Sequence, residues 1–204
     1  EDAQTKERIH GLMIPRREKR AIDAITFTSL KMPSRSPKEY IMLRVFFGGS
    51  MPGVVEMPDA DLAETVRQRV PFVITSLGAV SEVVDAIHSY GGLVFHDVIN
   101  LRHARKAAEA GVDGLIAVSA GAGGHAGTYN PFAFVQEIRQ FYPGTIILSG
   151  AMSAGAHVVA ARAAGADFAY LGTRFIATSE SRAPEDYKQM ILAATAKDIV
   201  YTNA

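Results

Sequence analysis

The chain has 204 residues, of which 48% are hydrophobic and 21% are charged, with 21 Lys+Arg against 21 Asp+Glu and no Cys. This length suffices for one ordinary domain with a sizeable core. The zero formal net charge argues against a nucleic-acid or anionic-membrane surface, which needs a surplus of Lys and Arg. Without Cys there is no disulfide, thiolate nucleophile, zinc-thiolate site or iron–sulfur cluster.

Residues 1–68 are predicted to form an N-terminal segment with a β-hairpin and a short helix. Ile25–Ser29 and Ile41–Phe47 are β-branched and aromatic runs bounded by Pro and Gly clusters, which is typical of two strands joined by a turn. Pro58–Val66 has the acidic first turn that favours a helix start. No apolar run in the chain approaches the roughly 18 residues of a membrane span, so we expect a cytoplasmic chain with no membrane contact.

Residues 69–204 alternate apolar runs of strand length with helical patterns. Five such runs begin 21, 21, 31 and 23 residues apart, which is the spacing of βα units in a parallel sheet or barrel. This pattern predicts an α/β fold, namely an incomplete, TIM-barrel-like (β/α) unit of about five repeats preceded by a short mixed β segment. The runs are Phe72–Ser76, Leu93–Asp97, Gly114–Val118, Thr145–Ser149 and Phe168–Gly172.

Two alanine-rich helical patterns, Leu101–Ala110 and His157–Ala164, lead into the same Ala-Gly-x-Asp sequence before the next strand. A glycine just past a helix is typical of a left-handed C-terminal cap, which we predict at Gly111 and Gly165. We interpret this repetition as architectural rather than catalytic.

Function in parallel βα folds gathers at the carboxyl ends of the strands. Residues 119–128 follow the third run and set four glycines around His125. Glycines permit close backbone approach to a flat or anionic ligand, and an imidazole there can serve as a general base near neutral pH. A glycine-rich surface loop with an incidental histidine is the alternative.

Glycine loops also follow the fourth and fifth runs, at residues 149–155 and 171–175. Barrels build phosphate cradles from such loops and the helices behind them, whereas tight turns without a ligand are the other interpretation. His96 and Asp97 end the second run and either line the same mouth or form a hydrogen-bonded pair. No metal site is expected because no His and carboxylate spacing fits one. The remaining histidines are interpreted as surface or packing residues: His10, His88, His103 and His157.

The sequences AGGHAG at 122–127 and GTRF at 172–175 occur in a highly specific order and spacing. With them, residues 69–204 resemble the nitronate monooxygenase family, formerly called 2-nitropropane dioxygenases. The resemblance implies an FMN-dependent (β/α)-barrel enzyme that takes an alkyl nitronate or nitroalkane and O2. Motif carry-over makes His125 the catalytic base, sets Gly123 and Gly124 against the isoalloxazine, and assigns the FMN phosphate to Ser149, Gly150, Gly172 and Thr173.

Two departures from that family stand out. Members usually carry two glycines after the seventh strand, whereas here Gly150 is followed by Ala151, which implies a tighter backbone approach. They also need about three further βα units before Phe72. Residues 10–68 do not supply these units and instead resemble a piece of protoporphyrinogen oxidase, an FAD enzyme of haem synthesis. Its glycine-rich FAD-binding region is absent here, so no catalytic residue is transferred.

Two alternatives to the nitronate chemistry stay open. Related barrels carry a similar Gly-Gly-His element, so a flavin-dependent enoyl-thioester reductase is one of them. The other is a non-catalytic barrel fragment. Because five βα units leave open parallel edges, a homo-oligomer is also expected.

Overall fold

The structure is a computed structural model that describes residues 11–13, 22–27, 43–47, 63, 65–76, 78, 81–124 and 126–201. In the N-terminal segment, β1 (Gly11–Met13), β2 (Ile22–Phe27) and β3 (Leu43–Phe47) form an antiparallel sheet in that order. Of the two predicted strands, residues 25–27 lie in β2, which begins three residues earlier than predicted, and residues 43–47 form β3, while β1 adds a third strand. Of the predicted helix at 58–66, residues 63, 65 and 66 are described and are helical, and the rest lies outside the described residues.

The second sheet holds five parallel strands in the order β4–β5–β6–β7–β8. Every predicted apolar run is a strand that ends within two residues of its predicted end. The central strands β5 and β6 are mostly buried, as continuous apolar runs predict. The strands are β4 Phe72–Thr75, β5 Leu93–Val98, β6 Gly114–Val118, β7 Thr145–Ser149 and β8 Phe168–Tyr170. The helices are α1 Ser81–His88, α2 Leu101–Glu109, α3 Pro131–Arg139, α4 Gly155–Ala163, α5 Thr173–Ile176 and α6 Glu185–Ala193, with a 3₁₀ turn at Ala196–Asp198.

One face of the parallel sheet carries the helices and the main core. Side chains alternate along a strand, so Val94 and Val98 of β5 share this face, as do Leu115 and Ala117 of β6. They are buried together with residues of the covering helices. The helix residues in this core include Ile87, Ala104, Ala107, Phe134, Val135, Ile138 and Ala161.

The opposite face corresponds to the inside of a barrel. Phe95 lies on this face of β5, and its ring centroid is 4.7 Å from that of Phe72 on β4. A Cβ at Gly114 would lie 2.0 Å from Cε1 of Phe95, so the ring takes the space that a β6 side chain would fill. This aromatic pair closes the face near the amino ends of the strands and leaves the carboxyl ends for the glycine loops.

The Ala-Gly-x-Asp repeat ties helices to the amino ends of strands. Gly111 and Gly165 have φ angles of +84° and +99°, as expected for left-handed C-terminal caps. The carboxylate of Asp113 accepts a 2.7 Å hydrogen bond from the N–H of Val94 in β5. Asp167 accepts a 2.8 Å bond from the N–H of Ile146 in β7. Both aspartates lie at the edge of the sheet opposite the glycine loops, which supports the architectural interpretation.

Arg139, the last residue of α3, links three chain segments at this edge. Its guanidinium donates to the carbonyls of Gly165 and Gly144, at 2.8 and 2.6 Å, and to the Asp167 carboxylate at 2.5 Å.

We predict that Arg139→Ala lowers the free energy of unfolding by about 2 kcal/mol, because partly buried acceptors lose their donors. Urea unfolding would measure the change, with the exposed Arg102→Ala of α2 as control. Equal midpoints for the two variants would contradict this role.

Candidate active site

Three glycine loops begin side by side at the carboxyl edge of the parallel sheet. Val118 of β6 is in register with Ser149 of β7, and Ser149 is in register with Tyr170 of β8. The loops that follow these residues therefore leave the sheet at the same level. This arrangement brings together the segments that carry most of the predicted site residues.

Ser119 links the first glycine loop, which follows β6, to the second glycine loop, which follows β7. It is fully buried, and both its N–H and its hydroxyl donate to the carbonyl of Ser149, at 2.8 and 2.7 Å. Gly150 has a φ angle of +130°, and a Cβ there would lie 2.5 Å from Oγ of Ser119 and 2.8 Å from the carbonyl oxygen of Ala120. Gly150 is thus required by packing between the loops. The role of Ser119 was not predictable from local sequence, because its bond spans thirty positions.

The departure at Ala151 is accommodated by a glycine on the facing loop. Ala151 has a φ angle of +53°, a left-handed conformation that is uncommon for alanine, and its N–H donates to the carbonyl of Gly121 at 3.0 Å. A Cβ at Gly121 would lie 2.7 Å from Cβ of Ala151. The approach is as tight as the alanine implies, since only glycine fits opposite it.

Three of the predicted cofactor residues present bare backbone at this edge. Gly123, Gly124 and Gly172 are exposed, and within the described residues, chain neighbours apart, no heavy atom lies within 4 Å of a Cβ built on Gly124 or Gly172. A Cβ on Gly123 would lie 3.5 Å from Oγ1 of Thr173. Such exposed glycine backbone permits close approach of a flat ring or an anionic group, which fits the flavin implied by the motif.

The end of the first loop returns to the sheet through Gly127. A Cβ on Gly127 would lie 2.3 Å from the carbonyl oxygen of Val118 and 3.0 Å from that of Ile99, so the loop crosses above the ends of β6 and β5. The N–H of Ala120 donates to the carbonyl of Tyr129 at 2.9 Å and closes the loop on itself. The predicted catalytic base, His125, lies outside the described residues.

His157 holds the start of α4, although the sequence suggested only surface or packing. Ala154 precedes the helix and has no side-chain acceptor, so it cannot cap the N-terminus. Nδ1 of His157 accepts instead from the N–H groups of Ser153 and Ala154, at 3.0 and 3.3 Å. The imidazole thereby shapes the second glycine loop, and the missing N-cap followed by a histidine three residues later was the available signal.

His96 belongs to the helix-facing side of the sheet and does not line the mouth. It is 3% exposed, and its Nδ1 lies 2.6 Å from Oγ1 of Thr75 on β4. Burial lowers the pKa of His96 to about 4, with a further contribution from the positive charges of His103 and Lys106. The ring is therefore neutral near pH 7. The side chain of His96 therefore hydrogen-bonds Thr75 on the neighbouring strand, which differs from the predicted pairing with Asp97.

Two further kinds of feature are absent from the described part of the chain. No group of three or more His, Asp or Glu residues there could hold a metal ion. None of the helices described above has the length and apolar character needed to cross a bilayer.

Parallel βα units with glycine loops at the carboxyl edge define a TIM-barrel-like α/β protein of the kind that binds ligands at the strand ends. The sequence profile of the nitronate monooxygenase family matches residues 53–204, and the chain belongs to this family. The match includes residues 53–68, which lie in the predicted N-terminal segment. The resemblance of residues 10–68 to protoporphyrinogen oxidase stays a prediction.

Known relatives agree with this assignment. A nitronate monooxygenase of Paraburkholderia phytofirmans is 31% identical over 135 residues, which are 61% of this chain and 36% of that protein. FabK of Thermotoga maritima is 30% identical with a TM-score of 0.64, over 72% of this chain and 48% of its own. A nitroalkane oxidase of Streptomyces ansochromogenes is 31% identical with a TM-score of 0.59, and the match covers 64% of this chain and 41% of that one. The chain thus spans about a third of the curated relative and under half of each solved structure.

Proposed function

We propose that the chain is an FMN-dependent oxidoreductase that oxidises alkyl nitronates with O2. The observation that carries this proposal is the open glycine backbone at Gly123, Gly124 and Gly172, on loops that meet at one edge of the sheet. Membership of the nitronate monooxygenase family supports the substrate class. The nitroalkane oxidase named above supports the same chemistry.

The proposed flavin site divides between the loops. Gly123 and Gly124 would lie against the isoalloxazine, since neither carries a side chain that would meet a flat ring. Gly172 and Thr173 would hold the phosphate, because both are exposed and α5 begins at Thr173. Ser149 and Gly150 would contribute backbone atoms and keep the loops at the correct separation through Ser119.

His125 is proposed as the catalytic base. It lies between Gly124 and Ala126 in the AGGHAG motif. As a neutral imidazole it would assist removal of the substrate α-proton or orient the nitronate. Bound FMN would supply the electron transfer and the reaction with O2.

Steady-state assays on the FMN-loaded chain would test the proposed reaction. A nitronate with O2 is expected to be consumed, and an enoyl thioester with reduced nicotinamide is not. We expect His125→Ala to retain bound FMN and to lose turnover by roughly 100-fold or more, the usual contribution of a general base. His103→Ala, an exposed histidine of α2, is the matched control.

Each outcome of these assays has a defined meaning. Turnover of the enoyl thioester alone would replace the proposed reaction with the reductase alternative. If the FMN-loaded chain shows neither activity, the interpretation that remains is a non-catalytic barrel fragment. Undiminished nitronate turnover in His125→Ala would remove the assigned base while keeping the reaction.

A further inference from the structure

The C-terminal tail contacts the first glycine loop. The hydroxyl of Tyr201 accepts a hydrogen bond from the backbone N–H of Gly121, eighty positions earlier in the chain. The Tyr201 side chain is 58% exposed, so this contact contributes little core packing. The bond instead adds a tie between the tail and the loop that leads to Gly123 and Gly124.

Gly121 connects the first glycine loop to two other parts of the chain through its backbone hydrogen bonds. Its carbonyl accepts from the N–H of Ala151 on the second loop, and its φ angle of +84° permits the close approach to that residue. With Tyr201 on its N–H, both polar groups of this residue are engaged by other parts of the chain. Two positions later, Gly123 faces Thr173 of α5.

A 3₁₀ turn at Ala196–Asp198 directly precedes the tail residues 199–201. The Asp198 carboxylate accepts from the N–H and the hydroxyl of Thr195, at 2.7 and 2.8 Å. These two bonds, the backbone one first, lower the pKa of Asp198 below its ordinary value. These bonds hold together the turn that directly precedes residues 199–201.

We infer that Tyr201 is a positioning residue of the proposed flavin site and holds the Gly121–Gly124 backbone in a conformation ready for the isoalloxazine. This inference rests on the proposed function. A loop held in its bound conformation loses less entropy when a ligand binds. Removal of the hydroxyl therefore weakens FMN binding through the conformation of this loop.

The test compares Tyr201→Phe with the wild-type chain in two measurements. FMN titration is expected to give a dissociation constant about three- to tenfold higher, the equivalent of one neutral hydrogen bond. Hydrogen exchange of the flavin-free chain is expected to be faster at the Gly121 amide. Tyr187→Phe, which removes an exposed hydroxyl from α6, is the matched control for both measurements.

A second variant tests the contact between Tyr201 and Gly121 by changing the turn that precedes Tyr201. Asp198→Ala removes the acceptor for Thr195 and is expected to weaken FMN binding in the same direction, whereas the exposed Lys197→Ala is not. Unchanged FMN affinity in Tyr201→Phe, or unchanged exchange at Gly121, would overturn the inference. If the wild-type chain binds no FMN, the proposed function is wrong, and so is the positioning role of Tyr201 in flavin binding. If the wild-type chain binds FMN and Tyr201→Phe binds it equally well, only the inference about Tyr201 is wrong.

Discussion

Replacing Gly150 with alanine is expected to destabilise the chain by about 3 kcal/mol or more and to weaken FMN binding at least about tenfold. A Cβ at this position would lie 2.5 Å from Oγ of Ser119 and 2.8 Å from the carbonyl oxygen of Ala120. The φ angle of +130° adds backbone strain for any residue with a side chain. Separation of the two loops would also move the glycine backbones proposed to receive the flavin.

Chemical unfolding of Gly150→Ala, compared with Gly155→Ala, would measure this effect. Gly155 begins α4, and in the described part of the chain a Cβ there meets no atom within 4 Å outside its own helix and chain neighbours. Alanine is therefore expected to be neutral or slightly stabilising. Adding Ser119→Ala to Gly150→Ala is expected to recover part of the lost stability, because one of the two clashing oxygens is gone. An unfolding midpoint for Gly150→Ala equal to that of Gly155→Ala would contradict the packing derived for these loops.

Acidification from pH 6.5 to pH 4 is expected to destabilise the chain through His96. The pKa of His96 is lowered from 6.5 to about 4 in the folded protein, first by burial. The unfolded chain therefore binds a proton over this range that the folded chain does not, and stability falls as the pH falls. The difference corresponds to about 3 kcal/mol, fully lost near pH 4.

Denaturant unfolding between pH 7 and pH 4 would isolate this contribution. The wild-type chain is expected to lose more stability over the range than His96→Asn, whose side chain does not titrate. His103→Gln, at an exposed position of α2, removes only a contribution smaller than that of burial and is expected to retain most of the wild-type pH dependence. The same loss in wild type and His96→Asn would show that His96 does not carry the pH dependence.

The parallel sheet could be predicted from the sequence because its signals are local. Continuous apolar runs mark strands buried on both faces, and the glycines at 111 and 165 mark helix ends. The antiparallel pairing of β2 and β3 was predicted from similar signals. The strand β1 was not assigned, since three residues carry too little pattern.

The orientation of His96 could have been read from the same strand. Val94, His96 and Val98 alternate with Phe95 and Asp97, so the histidine shares the face of the two valines. A position at the end of a strand had suggested the mouth of the site as one alternative. Alternation along the strand, rather than nearness to its end, decides which face a side chain occupies.

The contacts that hold the glycine loops together could not be predicted. Ser119 reaches Ser149, and Tyr201 reaches Gly121, across separations of 30 and 80 positions. Such pairs leave no periodicity in the sequence, because each depends on how the strands are arranged. The motif predicted where the candidate site lies, whereas the contacts that support its loops depend on the fold. The role of His125 stays a prediction from the motif.

Titration of the purified chain with FMN, followed by quenching of flavin fluorescence, tests the central claim most directly. Saturable binding of one FMN per chain is predicted, together with strong weakening by Gly172→Val, which would place a side chain where backbone is now open. Ser89→Val, at an exposed position directly after α1, is the control and is expected to bind FMN normally. A chain that takes up no FMN, or binds it equally with valine at position 172, would contradict the proposed flavin site.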